Sequence, residues 1–243
     1  MKNIVIIGAS GHGSMVLDCI EKEGRYSVIG FLDSYRKKGD LQNGYEILGS
    51  EMDLPECIEK FNIAGVIPAI GNNWTRKLMM DAVEKMVPGL EVVSAIHPSA
   101  QIGKDVEIGR GTVIMAGGII NANSTIGKCC IVNTNSSLGH DGIMSDFSTI
   151  SSGVCTGGNL YLGQFSALSL GTNVIENIRI GENCLVGAGS LVVKDVGDHS
   201  VAYGSPARFV RKRKVDDPYL SGDLKSTGSP VPTIKSLNPR KVI

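Results

Sequence analysis

The chain has 243 residues with 24 basic and 24 acidic side chains, so it can hold one large domain or two modest ones and carries no net charge. This balance gives no reason to expect a nucleic-acid partner. Met1 leads directly into a predicted strand rather than a signal peptide, and no apolar run approaches the ~18 residues of a membrane span, so no membrane association is expected. The six cysteines include no CxxC pair, which is typical of reduced thiols and a cytoplasmic protein.

The first 33 residues have the order of a nucleotide-binding βαβ unit. A strand is predicted from Lys2 to Gly8, a helix from about Ser14 to Glu23 and a second strand from Tyr26 to Leu32, with Asp33 at its end. Glycines between the first strand and the helix let backbone N–H groups approach a phosphate at the positive helix end. The spacing Gly8-x-x-Gly11-x-Gly13 differs from GxGxxG, so a tight turn without a ligand remains the alternative.

Two further strands and two helices complete a small α/β domain over residues 1–93. Helices are predicted from Asp53 to Phe61 and from Trp74 to Val87, and strands from Ala64 to Ile70 and from Glu91 to Ile96. A polar turn, Gly71-Asn72-Asn73, follows the strand that ends at Ile70. The ends of these strands are therefore expected to converge on one crevice.

A six-residue repeat runs through residues 96 to 192. Its seventeen anchor positions are aliphatic except Thr156: Ile96, Ile102, Ile108, Ile114, Ile120, Ile126, Val132, Leu138, Met144, Ile150, Thr156, Leu162, Leu168, Val174, Ile180, Val186 and Val192. Neither a helix nor an ordinary strand has this period, whereas a parallel β-helix has three hexads in each coil. The alternative is a sandwich of short strands. We predict a β-helix over residues 94–213 with about five coils, followed by a 214–243 tail of no assigned function.

One outward turn of the repeat carries a candidate general base. His140 lies two residues after the Leu138 anchor and is followed by Asp141. An imidazole has an unperturbed pKa near 6.5 and is suited to accept a proton from an attacking group at neutral pH. Gly158, three hexads later, follows the polar anchor Thr156. Positions three hexads apart stack on the same side of the coil, so His140 and Gly158 are predicted neighbours. A plain surface turn is the alternative at each position.

Several motifs in this order resemble the bacterial hexapeptide-repeat nucleotide-sugar acetyltransferases. The motifs are GASGHG at residues 8–13, Asp33, AIGNN at residues 69–73 with Arg76, and HPSA at residues 97–100. The family includes N-acetyltransferases of 4-amino-sugar nucleotides (bacillosamine and perosamine types) and related sialic-acid-type O-acetyltransferases. The resemblance covers about residues 3 to 212. It implies a Rossmann-like domain before a left-handed β-helix, acetyl-CoA as donor without a metal, and a homotrimer with active sites between subunits.

The resemblance also implies roles for individual residues. His140 would be the general base, Asp141 would raise its basicity although a Glu is frequent there, and the Gly158 N–H would stabilise an oxyanion. The implied nucleotide-sugar contacts are Ser10, Gly11 and His12 through backbone N–H groups, Asp33 and Ser34 (where a second Asp is common) at the base or ribose, Gly71, Asn72 and Arg76 in the same crevice, and Asn133 at the sugar.

Acetyl-CoA contacts are implied in the second half of the repeat. Thr149 stands where the family usually has a His that touches the coenzyme, and it could keep one hydrogen bond. Leu170 and Ala188 match positions that line the pantetheine channel. Gly204, Pro206 and Arg208 belong to a terminal GSPAR motif beside the adenine end. The basic residues from Arg208 to Lys214 could meet CoA phosphates, although a solvated charge run is the more common meaning of such a cluster.

The function that follows from the resemblance is transfer of acetyl from acetyl-CoA to the 4-amino group of a nucleotide-linked amino-dideoxy sugar, with UDP as the favoured nucleotide. Direct attack on the thioester is expected, with His140 as base. O-acetylation of a sialic-acid-like sugar is the alternative enzyme. A metal hydratase would need three histidines, and His97, His140 and His199 lack a ligand spacing. A non-catalytic nucleotide-binding scaffold is the third possibility.

Overall fold

The computed structural model describes residues 1–217. Its first part is a six-stranded sheet in the order β3-β4-β2-β1-β5-β6, parallel except for the β3–β4 hairpin. The strands are β1 (Lys2–Ile7), β2 (Tyr26–Leu32), β3 (Leu41–Gln42), β4 (Tyr45–Gly49), β5 (Ile63–Pro68) and β6 (Glu91–Val92). The helices are α1 (Gly11–Glu23), α2 (Leu54–Phe61) and α3 (Asn73–Met86), with a 3₁₀ turn at Glu51–Asp53.

Alternating side chains of β1 bury both faces of this sheet. Ile4 and Ile6 pack in one apolar cluster with α1, whereas Val5 and Ile7 pack in another with α2 and α3. A strand with both faces covered is a continuous apolar run, which is why KNIVII was recognisable as a buried strand. The sheet is therefore the middle layer between helices.

The structure differs most from the sequence prediction at the start of α1, at the last predicted strand and at the β3–β4 hairpin; the ends of α2, α3 and β5 differ by one or two residues. Helix α1 begins at Gly11, three residues earlier than expected, because the Ser14 N–H already bonds to the Ser10 carbonyl oxygen at 3.1 Å. The predicted last strand from Glu91 to Ile96 is divided between β6 and a strand of the next domain. The β3–β4 hairpin was not predicted, although Asn43-Gly44 at its turn is a recognised hairpin signal.

Seventeen two-residue strands follow and stack into three parallel sheets, a left-handed parallel β-helix as expected. Sheet I contains β7 (Ala95–Ile96), β10 (Val113–Ile114), β13 (Ile131–Val132), β16 (Thr149–Ile150), β19 (Ala167–Leu168) and β22 (Leu185–Val186). Sheet II contains β8 (Gln101–Ile102), β11 (Ile119–Ile120), β14 (Ser137–Leu138), β17 (Cys155–Thr156), β20 (Asn173–Val174) and β23 (Leu191–Val192). Sheet III contains β9 (Glu107–Ile108), β12 (Thr125–Ile126), β15 (Ile143–Met144), β18 (Tyr161–Leu162) and β21 (Arg179–Ile180).

Every predicted anchor is the second residue of one of these strands. All anchors except Ile102 and Thr156 belong to one continuous apolar core, together with small corner residues such as Cys130 and Cys184. Ile102, in the first coil, is 40% exposed because no coil lies below it. At the other end, the antiparallel hairpin of β24 (Ser200–Gly204) and β25 (Ala207–Lys212) extends sheet I. The hexad therefore predicted the strand register of this domain without a slip.

The turns between the sheets form three corners. Corner I–II follows each strand of sheet I (residues 133–136 in the third coil), corner II–III follows sheet II (139–142) and corner III–I follows sheet III (145–148). The N-terminal domain covers sheet I, where α1 packs with Val113 and Met115 and the Cys19 thiol donates to the Ile114 carbonyl oxygen. It also covers corner III–I, where Trp74 contacts Phe165 edge to face. Corner II–III lies on the far side of the prism.

Candidate active site

The glycine turn after β1 brings the start of α1 against the sheet. A Cβ on Gly13 would collide with the Gly8 carbonyl oxygen, and Gly8 itself has a φ of +106°. Both glycines are therefore required by packing. Gly11 differs, since a Cβ there would meet nothing within 4 Å. Ser10 and Gly11 are exposed at the helix N-terminus, where free N–H groups favour an anion. This geometry can hold the diphosphate predicted at Ser10 and Gly11.

Asp33 connects the glycine turn to the end of β2 through hydrogen bonds of its carboxylate. Its Oδ2 accepts the Ala9 N–H at 2.7 Å and its Oδ1 accepts the Tyr35 N–H at 2.8 Å. The side chain is 9% exposed, so much of its hydrogen-bonding capacity is used to shape the loops around the crevice. The Ser34 hydroxyl bonds to the carboxylate of Glu51, a buried residue that sequence reasoning missed. A carboxylate thus lies beside position 34 even though this chain has Ser there.

His12 is held neutral inside the crevice wall. Burial first, and the positive charge of Arg76 second, lower the pKa of His12 to about 4. Its Nε2 is buried and has no hydrogen-bond partner within residues 1–217. The imidazole therefore does not add a positive charge to the predicted diphosphate site, and a contact of His12 with phosphate through its backbone N–H stays a prediction.

Gly71 and Asn72 form the loop that leads into α3. The Asn72 side chain caps this helix by accepting the Thr75 N–H at 3.0 Å. The Arg76 guanidinium donates back to the Ile70 carbonyl oxygen at 2.7 Å and to that of Gly71 at 3.1 Å. Arg76 is fully buried, so it shapes the crevice loop from behind rather than lining the crevice as the resemblance implied.

Thr149 is placed differently from the expectation. It is 3% exposed, and its hydroxyl donates to Asn73 Oδ1 at 2.6 Å beneath the N-terminal domain. The Arg76 Nη2 also reaches this hydroxyl at 3.4 Å. Thr149 lies on sheet I and is covered by α3 in this structure, so its hydrogen bond to the coenzyme stays a prediction that this arrangement does not favour. Thr149 instead joins the two domains.

His140 and Asp141 protrude from corner II–III as a hydrogen-bonded pair. Asp141 Oδ2 lies 2.6 Å from His140 Nδ1, and Asn123, one coil earlier, donates to Asp141 Oδ1 at 3.2 Å. The hydrogen bond to His140, and next that to Asn123, lower the pKa of Asp141 below its usual value. The His140 side chain is 63% exposed. It can therefore exchange protons with a ligand while its Nδ1 is oriented by a carboxylate.

Gly158 lies directly over the other edge of the imidazole. The Asn159 N–H donates to the His140 carbonyl oxygen at 2.8 Å, which stacks the two turns. A Cβ on Gly158 would collide with His140 Nε2 and lie 2.5 Å from Cε1. The predicted adjacency of His140 and Gly158 is therefore present, and only glycine leaves room for the ring. The Gly158 N–H has no backbone acceptor among residues 1–217.

The remaining predicted contacts share corner I–II. Leu170 and Ala188 occupy equivalent exposed positions of successive coils, and Gly204 and Pro206 follow at the exposed turn of the β24–β25 hairpin. Asn133 lies lower on the same corner, in the coil that contains His140. Arg208 is exposed on β25. Within one chain, Asn133 and the predicted coenzyme contacts of this corner therefore lie apart from His140 by the width of sheet II.

Within residues 1–217 the structure contains no group of three metal-ligating side chains and no helix long and apolar enough to cross a membrane. His97, His140 and His199 lie on three different corners of the β-helix. Residues 218–243, most of the predicted tail, lie outside the described residues.

Comparison with known proteins identifies relatives of both domains. Residues 3–83 match the family model of the PglD N-terminal domain. The acetyltransferase domain of PglB from Neisseria gonorrhoeae FA1090 superposes with a TM-score of 0.80 at 30% identity, over 86% of this chain and 100% of that one. PerB from Caulobacter crescentus, solved with CoA and GDP-perosamine, superposes with a TM-score of 0.81 at 30% identity, over 87% of this chain and 98% of PerB. WeeI from Acinetobacter baumannii AYE superposes with a TM-score of 0.69 at 27% identity, over 86% of this chain and 100% of WeeI.

Curated relatives match the β-helix part more partially. Serine acetyltransferase 2 from Arabidopsis thaliana is 31% identical over 157 residues, which are 61% of this chain and 42% of the relative. The chain spans less than half the length of each of the first three such relatives. The other two are serine acetyltransferase 4 from Arabidopsis thaliana, of which it spans 39%, and the serine acetyltransferase from Synechococcus elongatus, of which it spans 49%.

The chain joins a small α/β domain to a hexapeptide-repeat β-helix, and one corner of the β-helix carries a histidine–carboxylate pair. Together these features define the class of hexapeptide acyltransferases that carry a nucleotide-sugar domain. Within that class, the chain belongs to the PglD-type family of bacterial nucleotide-sugar acetyltransferases.

Proposed function

We propose that the protein transfers an acetyl group from acetyl-CoA to the 4-amino group of a nucleotide-linked amino-dideoxy sugar. The observation that carries this proposal is the His140–Asp141 pair with the Gly158 turn stacked on the free edge of the ring. Relatives support it: PerB was crystallised with CoA and GDP-perosamine, and the Neisseria domain with acetyl coenzyme A. Variants of the Caulobacter crescentus enzyme in which one histidine is replaced by Asn or Ala were also solved with CoA and GDP-perosamine.

The chemistry follows from the two edges of the imidazole. Asp141 occupies Nδ1, so Nε2 is the atom that accepts the proton as the amine attacks the thioester carbon. The Gly158 N–H donates to the oxyanion of the tetrahedral intermediate, a contribution of roughly 3–4 kcal/mol for one such donor. The C–S bond then breaks, the acetamide forms, and the CoA thiolate takes the proton from the imidazolium. The binding of both substrates in one cleft supplies orientation.

An acyl-enzyme on cysteine is not supported. Five of the six cysteines are buried, and burial raises the pKa of Cys19 to about 12 and that of Cys129 to about 11. A buried thiol with a raised pKa is a poor nucleophile. Cys155 is exposed on sheet II, where its sulfur accepts a hydrogen bond from the Ser137 hydroxyl rather than facing a base.

We further propose that the active site is completed in a homotrimer. If sheet II of each chain faces a threefold axis, corner I–II of one subunit meets corner II–III of the next. This packing would bring Leu170 and Ala188 of one subunit to His140 of its neighbour. The exposed Ile119, at 42% on sheet II, is an apolar surface that such packing would bury.

UDP remains the expected nucleotide, and GDP is the second nucleotide to test because of the PerB complex. A hydroxyl acceptor, as in a sialic-acid-like sugar, is the second candidate function. A galactoside O-acetyltransferase from Lactococcus lactis is 43% identical over 58 residues, and His140 could act as base on a hydroxyl in the same way.

The test is CoA release from acetyl-CoA with UDP- and GDP-linked 4-amino sugars and with sialic acid, followed by mass spectrometry of the product. We expect an N-acetylated sugar nucleotide, and a fall in kcat of about 10²- to 10⁴-fold for His140→Ala with CoA binding retained. Full activity in His140→Ala, or no turnover of any 4-amino sugar nucleotide by the unaltered protein, would sink the proposal.

A further inference from the structure

The residues two positions after the anchors of sheet II form a column along corner II–III, one residue from each coil. In chain order the column contains Lys104, Ala122, His140, Gly158, Glu176 and Lys194. Because Gly158 has no side chain, Glu176 is the first side chain of the column beyond His140. No role for Glu176 follows from the resemblance, so its place directly above the candidate catalytic pair is a feature of this chain alone.

The backbone of Glu176 is stacked closely on the turn that carries Gly158. A Cβ on Gly157 would lie 2.5 Å from the Glu176 backbone nitrogen, and the Asn177 N–H donates to the Gly158 carbonyl oxygen at 2.9 Å. Adjacent coils are spaced like neighbouring strands of a sheet, ~4.8 Å apart. Glu176 therefore lies about one strand spacing beyond Gly158 on the same corner.

The coil of Glu176 is also the coil of a predicted coenzyme contact. Leu170 precedes β20 on corner I–II and Glu176 follows the same strand on corner II–III. In the proposed trimer, corner I–II of one subunit meets corner II–III of the next. Leu170 of one subunit would then face Glu176 of its neighbour at the same height in the cleft.

The carboxylate of Glu176 is available to a ligand. The residue is exposed, and within residues 1–217 its side chain makes no hydrogen bond or ion pair. An ionised carboxylate only accepts hydrogen bonds, so its partner must supply an N–H, an O–H or a positive charge. The question is which part of the two substrates brings such a donor to this height.

The pantetheine arm of acetyl-CoA has a donor at the matching distance. Four covalent bonds join the thioester carbonyl carbon to the nitrogen of the first amide, a reach of about 5 Å when extended. This reach is close to the spacing of adjacent coils. If the thioester oxygen accepts the Gly158 N–H and the arm runs toward Leu170 and Ala188, the amide N–H lies at the level of Glu176.

We propose that Glu176 binds the coenzyme arm, with its carboxylate accepting the N–H of the amide next to the thioester sulfur. The inference rests on the proposed function for the identity of the ligand, and it adds a contact that the resemblance does not supply. A hydrogen bond to an ionised acceptor is stronger than one between neutral groups. Glu176 therefore contributes to binding of the acetyl donor and not to binding of the nucleotide sugar.

The test compares two substitutions of Glu176 by calorimetry with CoA and by steady-state kinetics. We expect Glu176→Ala to weaken CoA binding and to raise the KM for acetyl-CoA by about tenfold, with the KM for the nucleotide sugar within about twofold. In Glu176→Gln the side-chain carbonyl oxygen can still accept the bond, so both values should stay within about threefold of the unaltered protein. Ala122 occupies the same column, which shows that this turn accommodates alanine.

Glu182→Ala is the matched control, since Glu182 is exposed and has the same place in its hexad on corner III–I. It should change neither CoA binding nor either KM. An unchanged affinity for CoA in Glu176→Ala, or a Glu176→Gln protein as weak as Glu176→Ala, overturns the assignment. An equal loss of CoA and nucleotide-sugar binding also overturns it, because that result indicates damage to the fold.

Failure of the proposed function has a different signature. Weaker CoA binding in Glu176→Ala alone, in a protein that acetylates no 4-amino sugar nucleotide, would keep the contact and remove the reaction. Normal acetyl transfer by Glu176→Ala with an unchanged KM for acetyl-CoA would keep the reaction and remove the contact. An unaltered protein that does not bind CoA at all would overturn both.

Discussion

At the residue scale, the His140–Asp141 pair depends on a third side chain. Asn123 has the left-handed φ of 61° that its turn requires, and from there it donates to the Asp141 oxygen that His140 does not use. Asp141, at a φ of 56°, is oriented by this bond as well as by the imidazole. A carboxylate held at both oxygens keeps the ring in the orientation that leaves Nε2 for the substrate.

We therefore expect a graded loss of kcat. Asp141→Asn should lower kcat by about 10- to 100-fold, less than the ~10⁴-fold of a buried triad carboxylate because this pair is exposed, and Asn123→Ala by several-fold. Asn177→Ala is the matched control, since Asn177 has the same turn conformation and bonds to Asn159 instead of Asp141. Steady-state kinetics measure the series; an Asn123→Ala enzyme indistinguishable from Asn177→Ala would contradict the positioning role.

His12 predicts a pH dependence of stability. Its pKa is lowered to about 4 in the folded protein, whereas the unfolded chain binds a proton near 6.5. The unfolded state therefore takes up more protons in this window, and the free energy of unfolding falls as the pH drops from about 6.5 toward 4. We expect this loss to be about 1–3 kcal/mol smaller in His12→Gln, by urea unfolding at pH 7 and pH 5. Parallel losses in both proteins would contradict it.

At the element scale, one buried guanidinium connects α3 to the β-helix. Besides the crevice loop, Arg76 donates to the Cys129 carbonyl oxygen at 2.8 Å and to that of Phe147 at 3.2 Å, both on corner III–I. Each bond satisfies a backbone carbonyl that packing has removed from water. One side chain thus bonds both to the crevice loop and to the β-helix, in addition to the Thr149–Asn73 hydrogen bond between the two domains.

Removal of this guanidinium should destabilise the protein strongly. We expect Arg76→Met to lower the free energy of unfolding by roughly 3 kcal/mol or more, because several buried carbonyls lose their donor at once. Arg25→Met is the control, as Arg25 also donates to a carbonyl oxygen, that of Ser94, but from an exposed position. Urea denaturation compares the two, and a similar small loss for both would show that Arg76 contributes no more than a surface residue.

At the scale of the whole molecule, the predicted site residues lie on two different corners of the β-helix. Their separation can be tested with trimers that contain two different variants. Leu170 is 60% exposed on corner I–II, and His140 protrudes from corner II–III. In the proposed trimer, each site takes one corner from each of two subunits. Two inactive variants altered at different corners can then form an intact site between them.

We expect His140→Ala and Leu170→Glu, each impaired alone, to regain activity when the two chains are unfolded and refolded together. About a quarter of the sites in random heterotrimers would combine two unaltered corners, so activity near a quarter of the unaltered protein is the expected result. Sedimentation should give the mass of three chains. Trimers that stay as inactive as the parent variants would contradict sites between subunits.

Much of the architecture could be predicted because it follows from local periodicity. The hexad gave the strand register from Ile96 to Val192, and the stacking of His140 under Gly158 followed from the period alone. The βαβ unit was recognisable because β1 is buried on both faces and its glycine turn needs residues without a Cβ. Each of these features depends on near neighbours in the chain or on a fixed repeat.

Other features depend on which surfaces meet, and no local pattern encodes that. The burial of Thr149 under Asn73 and the position of Arg76 behind the crevice both arise where the α/β domain lies on the β-helix. Glu51 lies beside Ser34 only because β4 is next to β2 in the sheet. The sequence by itself determined the β-helix, its register and the corner that carries His140. Only the tertiary structure decided what covers sheet I and which polar groups are left for ligands, because these depend on contacts between residues far apart in the chain.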